Sequence, residues 1–115
     1  MTRLVYKICP VPLWLEAERA GEFQGSEADL RDGFIHFSTA DQVRETAAKH
    51  FAGQSDLVLV SVDISKLGDR LKWEPSRGGA LFPHLYGTLD LIAVVRTEPL
   101  PLRADGTHDF PPLGD

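Results

Sequence analysis

The sequence predicts an α+β domain with small mixed, mainly antiparallel β-sheets and two helices. Three observations point there. Both helical patterns fall in the first half of the chain, ahead of most of the strands, and a doubly wound parallel sheet would instead need regular alternation. Strand-like stretches recur between turn-forming residues: LVYKIC, FIHFS, DLVLVSVDI, RLKWE and LDLIAVVRT. At 115 residues with 43% hydrophobic content, the chain suffices for one core.

The first strand covers Leu4 to Cys9, where β-rich residues alternate. Pro10 and Pro12 punctuate its end. Pro12 suits the first turn of a helix, where a missing N–H costs nothing. That helix, PLWLEAERA, ends at Gly21 and carries Leu13, Trp14, Ala17 and Ala20 on its apolar face. The polar stretch EFQGSEADLRD reads as a long loop, and FIHFS as the second strand. The second helix opens at Thr39-Ala40-Asp41-Gln42, which has the form of a capping box, and continues through Val43, Ala47 and Phe51 to a stop at Gly53. In DLVLVSVDI, Val58, Val60, Val62 and Ile64 share one side, while Leu57 and Leu59 make the other side apolar as well. This strand should be buried on both faces, with Asp63 capping the turn that follows together with Ser65. RLKWE is a short strand ended by Pro75, and Leu89 to Thr97 forms the last one. The domain spans 1–97; the proline-bearing tail 98–115 should wrap the surface or fray.

The net charge of −5 argues against non-specific nucleic-acid binding, leaving room only for a local basic pocket. No apolar run approaches the ~20 residues needed to cross a bilayer. The start lacks a signal-peptide pattern, so a bacterial-type cytoplasmic protein is expected. Cys9 is the single cysteine, which rules out an internal disulfide, and it reads as a small buried hydrophobe. His36, His50, His84 and His108 lack metal-ligand spacing, so no metal is expected. His50 suits the C-terminal end of a helix. Trp14 and Trp73 read as packing residues.

Two constellations could carry chemistry. In FIHFS, alternation puts Phe34, His36 and Ser38 on one face and Ile35 with Phe37 on the other. His36 then lies beside the first turn of the Thr39 helix, whose N–H groups favour anions such as phosphate. The competing account is a packed histidine bonded to a backbone carbonyl, with Thr39 serving only as a cap. The second constellation is KWEPSRGGALFPHLYG. There Glu74 ends a strand, Arg77 could pair with a phosphate or carboxylate, His84 could donate a hydrogen bond, and Tyr86 could stack under a flat ring. A hairpin with aromatic plugs and a surface ion pair accounts for the same residues. Two histidines in aromatic frames within one short chain tip the balance towards a site.

Together, WLEAERAG, GFIHFSTADQV, DLVLVSVD, KWE and LFPHLYGTLD resemble the small bacterial proteins grouped as domain of unknown function 952. The likeness runs from about Leu4 to about Val95. That family is in turn similar in fold to the ADP-ribosyltransferases, including the RNA 2′-phosphotransferases, which bind NAD or an ADP-ribosylated intermediate in a cleft between two small sheets. The resemblance implies an ADP-ribosylation-like fold and a nucleotide ligand, with NAD as the cofactor to expect. It also implies that His36 and Ser38 face the nucleotide, that Arg77 holds the diphosphate, and that Glu74 steadies an oxocarbenium ion. Lys7 stands where the first strand of such proteins often carries histidine. Its ammonium can bind phosphate but cannot accept a hydrogen bond from a hydroxyl. The catalytic candidates are therefore Glu74 and His36, and the ligand-holding candidates Lys7, Ser38, Thr39, Arg77, His84 and Tyr86. A non-catalytic nucleotide-binding or protein-interaction module is the alternative. Nothing in the sequence fixes the oligomeric state.

Overall fold

The computed structural model describes residues 3–114, with the side chain of Arg77 outside that description. Among these residues the architecture is mixed α and β, with antiparallel sheets and three helices rather than two.

The central sheet has the order β1-β4-β8, formed by Leu4–Pro10, Leu57–Asp63 and Val94–Pro99. β4 lies in the middle, as a strand apolar on both sides must. One face, with Val60 and Val62, packs with Val5 and Cys9 against Trp14 and Ala17 of α1 (Val11–Ala20) and against Phe23, Ile35, Phe37 and Leu85. The opposite face, with Leu57 and Leu59, joins Tyr6 and Ile8 under Val43 and Ala47 of α3 (Val43–His50). Hydrocarbon therefore covers the sheet from both sides, the arrangement that makes a central strand unsuited to alternation with polar residues.

A second sheet, β3-β6-β5, consists of Ile35–His36, Leu81–Leu85 and Leu71–Pro75. It meets the central sheet through one reciprocal pair of backbone bonds: Tyr6 N–H to Ser38 carbonyl at 2.8 Å, and the reverse at 2.9 Å. A two-stranded sheet pairs β2 (Glu22–Phe23) with β7 (Leu89–Asp90).

Several local expectations change. The segment expected to be a loop before His36 holds β2 and a short helix, α2 (Glu27–Asp32). Ser26 caps this helix by accepting from the Asp29 N–H, while the Asp29 carboxylate accepts from the Ser26 N–H. Only Ile35 and His36 of FIHFS pair as a strand, because the chain turns out of that sheet to bridge Tyr6 at Ser38. At Thr39, half of the expected box forms: Gln42 Oε1 accepts from the Thr39 N–H, and the regular helix begins at Val43. The breaker-rich segment after Pro75 is a hairpin turn leading into β6. The expected strand Leu89–Thr97 is interrupted by a 3₁₀ turn at Leu91–Ala93, where Asp90 accepts from the Ile92 N–H. Asp63 caps its turn through Ser65 as the residues suggest, and Cys9 is fully buried.

β8 runs on to Pro99, and the chain beyond it remains attached to the molecule. Leu100 is 1% exposed and belongs to the core beneath α3, with Phe110 and Leu113 packed against the same cluster. Leu100→Ala should therefore cost about 2–5 kcal/mol, as a core truncation does. Urea denaturation measures this as a lower midpoint at unchanged slope; an unchanged midpoint would show that the segment contributes no packing.

Candidate functional site

The register of the second sheet sets His36 of β3 directly opposite His84 of β6. The two rings lie edge to face with centroids 5.6 Å apart. Phe34 stacks on His84 at 4.1 Å and 24°, and its ring also lies 4.6 Å from His36 and 5.4 Å from Tyr86. Phe34 and His36 thus share a face, while Ile35 and Phe37 point into the core, as two-residue alternation requires. The imidazoles meet as neighbours within one sheet rather than across a cleft. Two cavities, of about 410 and 430 Å³, have walls formed by other residues.

Each imidazole rests on carboxylates. Glu74 of β5 is one pleat along from Lys72, the residue paired with His84. Its Oε1 accepts from His84 Nδ1 at 2.8 Å and from the Tyr86 hydroxyl at 2.8 Å. The His84 and Tyr86 hydrogen bonds hold the Glu74 carboxyl below its ordinary range, and the bond to Glu74 raises the Tyr86 phenol. With Nδ1–H committed to the carboxylate, the neutral His84 ring carries its lone pair on Nε2. Among the described residues Nε2 has no hydrogen-bond partner.

On His36, Nδ1 lies 2.6 Å from Asp29 Oδ1 and Nε2 lies 3.0 Å from Asp32 Oδ2. Only an imidazolium can donate at both positions. Asp29 is the centre of this half. Its side chain is 1% exposed and takes Lys7 Nζ at 2.8 Å, the His36 N–H at 3.1 Å and the Ser26 N–H at 2.8 Å. Burial pushes the Asp29 carboxyl up, but the His36 bond, the Lys7 charge and bond, and the Ser26 N–H together hold it well below the usual carboxylate range. Burial draws the Lys7 ammonium below its usual value, with Asp29 opposing. Burial also pushes the Cys9 thiol up to about 12, which keeps it protonated and poorly nucleophilic. Gly25 permits the close approach of Asp29: its φ is +123°, and a Cβ there would stand 2.8 Å from the Asp29 Cβ.

The expected site residues divide accordingly. His36, His84, Glu74 and Tyr86 come together, and Lys7 joins them from beneath through Asp29. The Ser38 hydroxyl lies 2.8 Å from Thr46 Oγ1, which engages it with α3, and Thr39 gives its backbone N–H to Gln42 Oε1. Arg77 sits in the hairpin turn, with its side chain outside the described residues. Asp29 and Asp32 were absent from the expected set. Their signal was present in Ser26-x-x-Asp29, a capping pattern closed by Gly33 in the left-handed conformation.

This arrangement belongs to a recognisable group of small α+β proteins. The family model described as protein of unknown function (DUF952) matches residues 8–97, and the chain is a member of that family. The crystal structure of protein CC0527 from Caulobacter crescentus is similar over 92% of this chain and 93% of its own, with 52% identity and a TM-score of 0.89. The solution NMR structure of CC0527 matches over 90% of each chain, with 53% identity and a TM-score of 0.82. No curated protein matches the chain. Among the described residues, no helix is long and apolar enough to cross a membrane.

Two expectations follow. Lys7→Met leaves a buried carboxylate short of its cation and should cost about 3–5 kcal/mol in chemical denaturation; a loss below about 1 kcal/mol would mean the pair is dispensable. The Asp29 carboxyl titrates lower in the folded chain than the ~3.9 of an unfolded aspartate. Its stabilisation is therefore complete above about pH 4 and is lost as pH falls towards the folded value. Urea midpoints should decline through that acid range, and Asp29→Asn should flatten the decline; an equal slope in the variant would assign acid sensitivity to other groups.

Proposed function

We propose that the protein binds NAD or an ADP-ribosyl nucleotide on the His36–His84 face, in the manner of an ADP-ribosyltransferase-like protein. The observation that carries this reading is the side-by-side pair of imidazoles, each oriented by a carboxylate and framed by Phe34 and Tyr86. The two small sheets joined at Tyr6 and Ser38 also agree with the architecture that the family resemblance implies.

Charge decides which end of such a ligand lies here. The cations here are already committed: Lys7 is neutralised by Asp29, and the doubly donating His36 ring is held between Asp29 and Asp32, while Glu74 adds a further carboxylate. The face therefore suits the ribose hydroxyls and the positively charged nicotinamide end better than a diphosphate. Two donors on Glu74 Oε1 fix the carboxylate and leave Oε2 to accept from a ribose hydroxyl. In a transfer reaction the bond from C1′ to the nicotinamide nitrogen breaks and nicotinamide leaves with the electron pair. Glu74 would stabilise the positive charge growing on the sugar until an acceptor oxygen or nitrogen bonds to C1′.

A second reading, binding without turnover, is favoured by Lys7, which is sealed and paired at the position where related strands often present histidine. It calls for stabilisation of roughly 2.7 kcal/mol at a ligand concentration 100 times the dissociation constant, with no chemistry.

Calorimetry with NAD and ADP-ribose, alongside assay of released nicotinamide, tests both. Saturable heat weakened about tenfold by Glu74→Gln, equivalent to ~1.4 kcal/mol, supports binding at this face. Nicotinamide release abolished by the same substitution rejects the non-catalytic reading. The absence of heat up to millimolar ligand, with an unshifted melting curve, would overturn both.

A further inference from the structure

A separate cavity of about 430 Å³ lies between α3, which is within the span matched by the family, and the C-terminal segment, which is beyond it. Its wall includes Arg44, Arg103, Asp105, Thr107, His108 and Phe110. The chain as a whole carries −5, yet this wall presents two guanidinium groups and one carboxylate. Asp105 is already engaged, since its Oδ1 accepts from the Thr107 N–H and hydroxyl. Arg44 lies over the Phe110 ring at 5.3 Å and makes no ion pair among the described residues. A guanidinium stacked on a ring keeps its in-plane N–H groups available for an oxyanion. Arg103 gives one bond, from Nη2 to Asp109 at 3.0 Å, in a pair whose side chains are both more than half exposed. An exposed pair of that kind exchanges partners readily.

The second observation is His108. The residue is 6% exposed, and its Nε2 lies 2.8 Å from the Gln54 carbonyl. A carbonyl only accepts, so Nε2 carries the hydrogen. Nδ1 is buried and has no hydrogen-bond partner. A buried ring nitrogen without a partner is a standing cost to the fold that a ligand group can relieve.

We propose that this cavity binds a phosphate group, either free or as a phosphomonoester. The charged oxygens would meet Arg44 and Arg103. Near neutral pH such a group is in part singly protonated, since its second pKa is about 6. Its P–OH can then donate to the Nδ1 lone pair, and a protonated ring can instead donate to a phosphate oxygen. Few other small anions satisfy both demands at once, and sulfate has no hydrogen to give.

The full chain is titrated with inorganic phosphate, phosphoserine and sulfate while the ring nitrogens of His108 and the backbone amides of α3 are followed by NMR. The expected result is a saturable shift at His108 with phosphate or phosphoserine, at least tenfold weaker binding in Arg44→Gln, and weaker binding of sulfate. Tighter binding of phosphoserine than of inorganic phosphate identifies an organic phosphomonoester as the ligand; equal binding identifies free phosphate. Arg44 is exposed, so its replacement should leave the melting temperature unchanged, and Arg103→Gln provides a second variant. The absence of a saturable shift, or shifts of equal affinity in both variants, would overturn the proposal. The readout at His108 is distinct from any effect of NAD at His36 and His84, so either reading can fail without the other.

Discussion

The arrangement of this molecule depends on one buried carboxylate. Asp29 closes the cap of α2, accepts from the His36 backbone, orients the His36 ring and neutralises Lys7. A carboxylate with so many donors is stable in a water-poor setting because each lone pair is engaged, whereas the same group with a donor missing would be a serious cost. Through it a helix, a strand of the second sheet and a strand of the central sheet become mutually dependent. The ammonium of Lys7 is thereby a foundation for the imidazoles rather than an outward-facing ligand.

The imidazole face combines two electrostatic environments. Glu74 is exposed enough to be screened by water, while Asp29 is enclosed. His84 is buried between an aromatic ring and a carboxylate, and His36 is open to solvent but held between two acids. The two rings thus have different hydrogen-bond demands although they occupy matched positions in the sheet. Such pairs, alike in chemistry and unlike in surroundings, can divide the duties of orienting a ligand and exchanging a proton.

Much of the frame was legible because hydrophobic period reports burial directly. The doubly apolar Leu57–Asp63 announced a central strand, and the alternation in FIHFS placed His36 away from Ile35 and Phe37. Pairing was harder to foresee. Nothing local in FIHFS or in FPHLY says that the two histidines fall opposite one another; that register depends on contacts made by Ile35 and Leu85 in the shared core. The short α2 was obscured by its polar composition, since a helix of one and a half turns has little room for an apolar stripe, and its cap was the better guide. The interruption at Leu91–Ala93 was hidden for the opposite reason: continuous apolar residues look like strand whether or not the chain turns.

The residues of the imidazole face and its support are also close in sequence within each half. Asp29 and His36 are 7 positions apart, Glu74 and His84 are 10, and Glu74 and Tyr86 are 12. Contacts over such spans close on a timescale of about 10–100 ns, far ahead of the distant pairings that complete a sheet. Each half can therefore be sampled as a nascent turn before the chain has collapsed. Assembly then reduces to docking two preorganised fragments along one pair of strands, so maturation of this surface is governed by the slowest long-range association and not by local ordering.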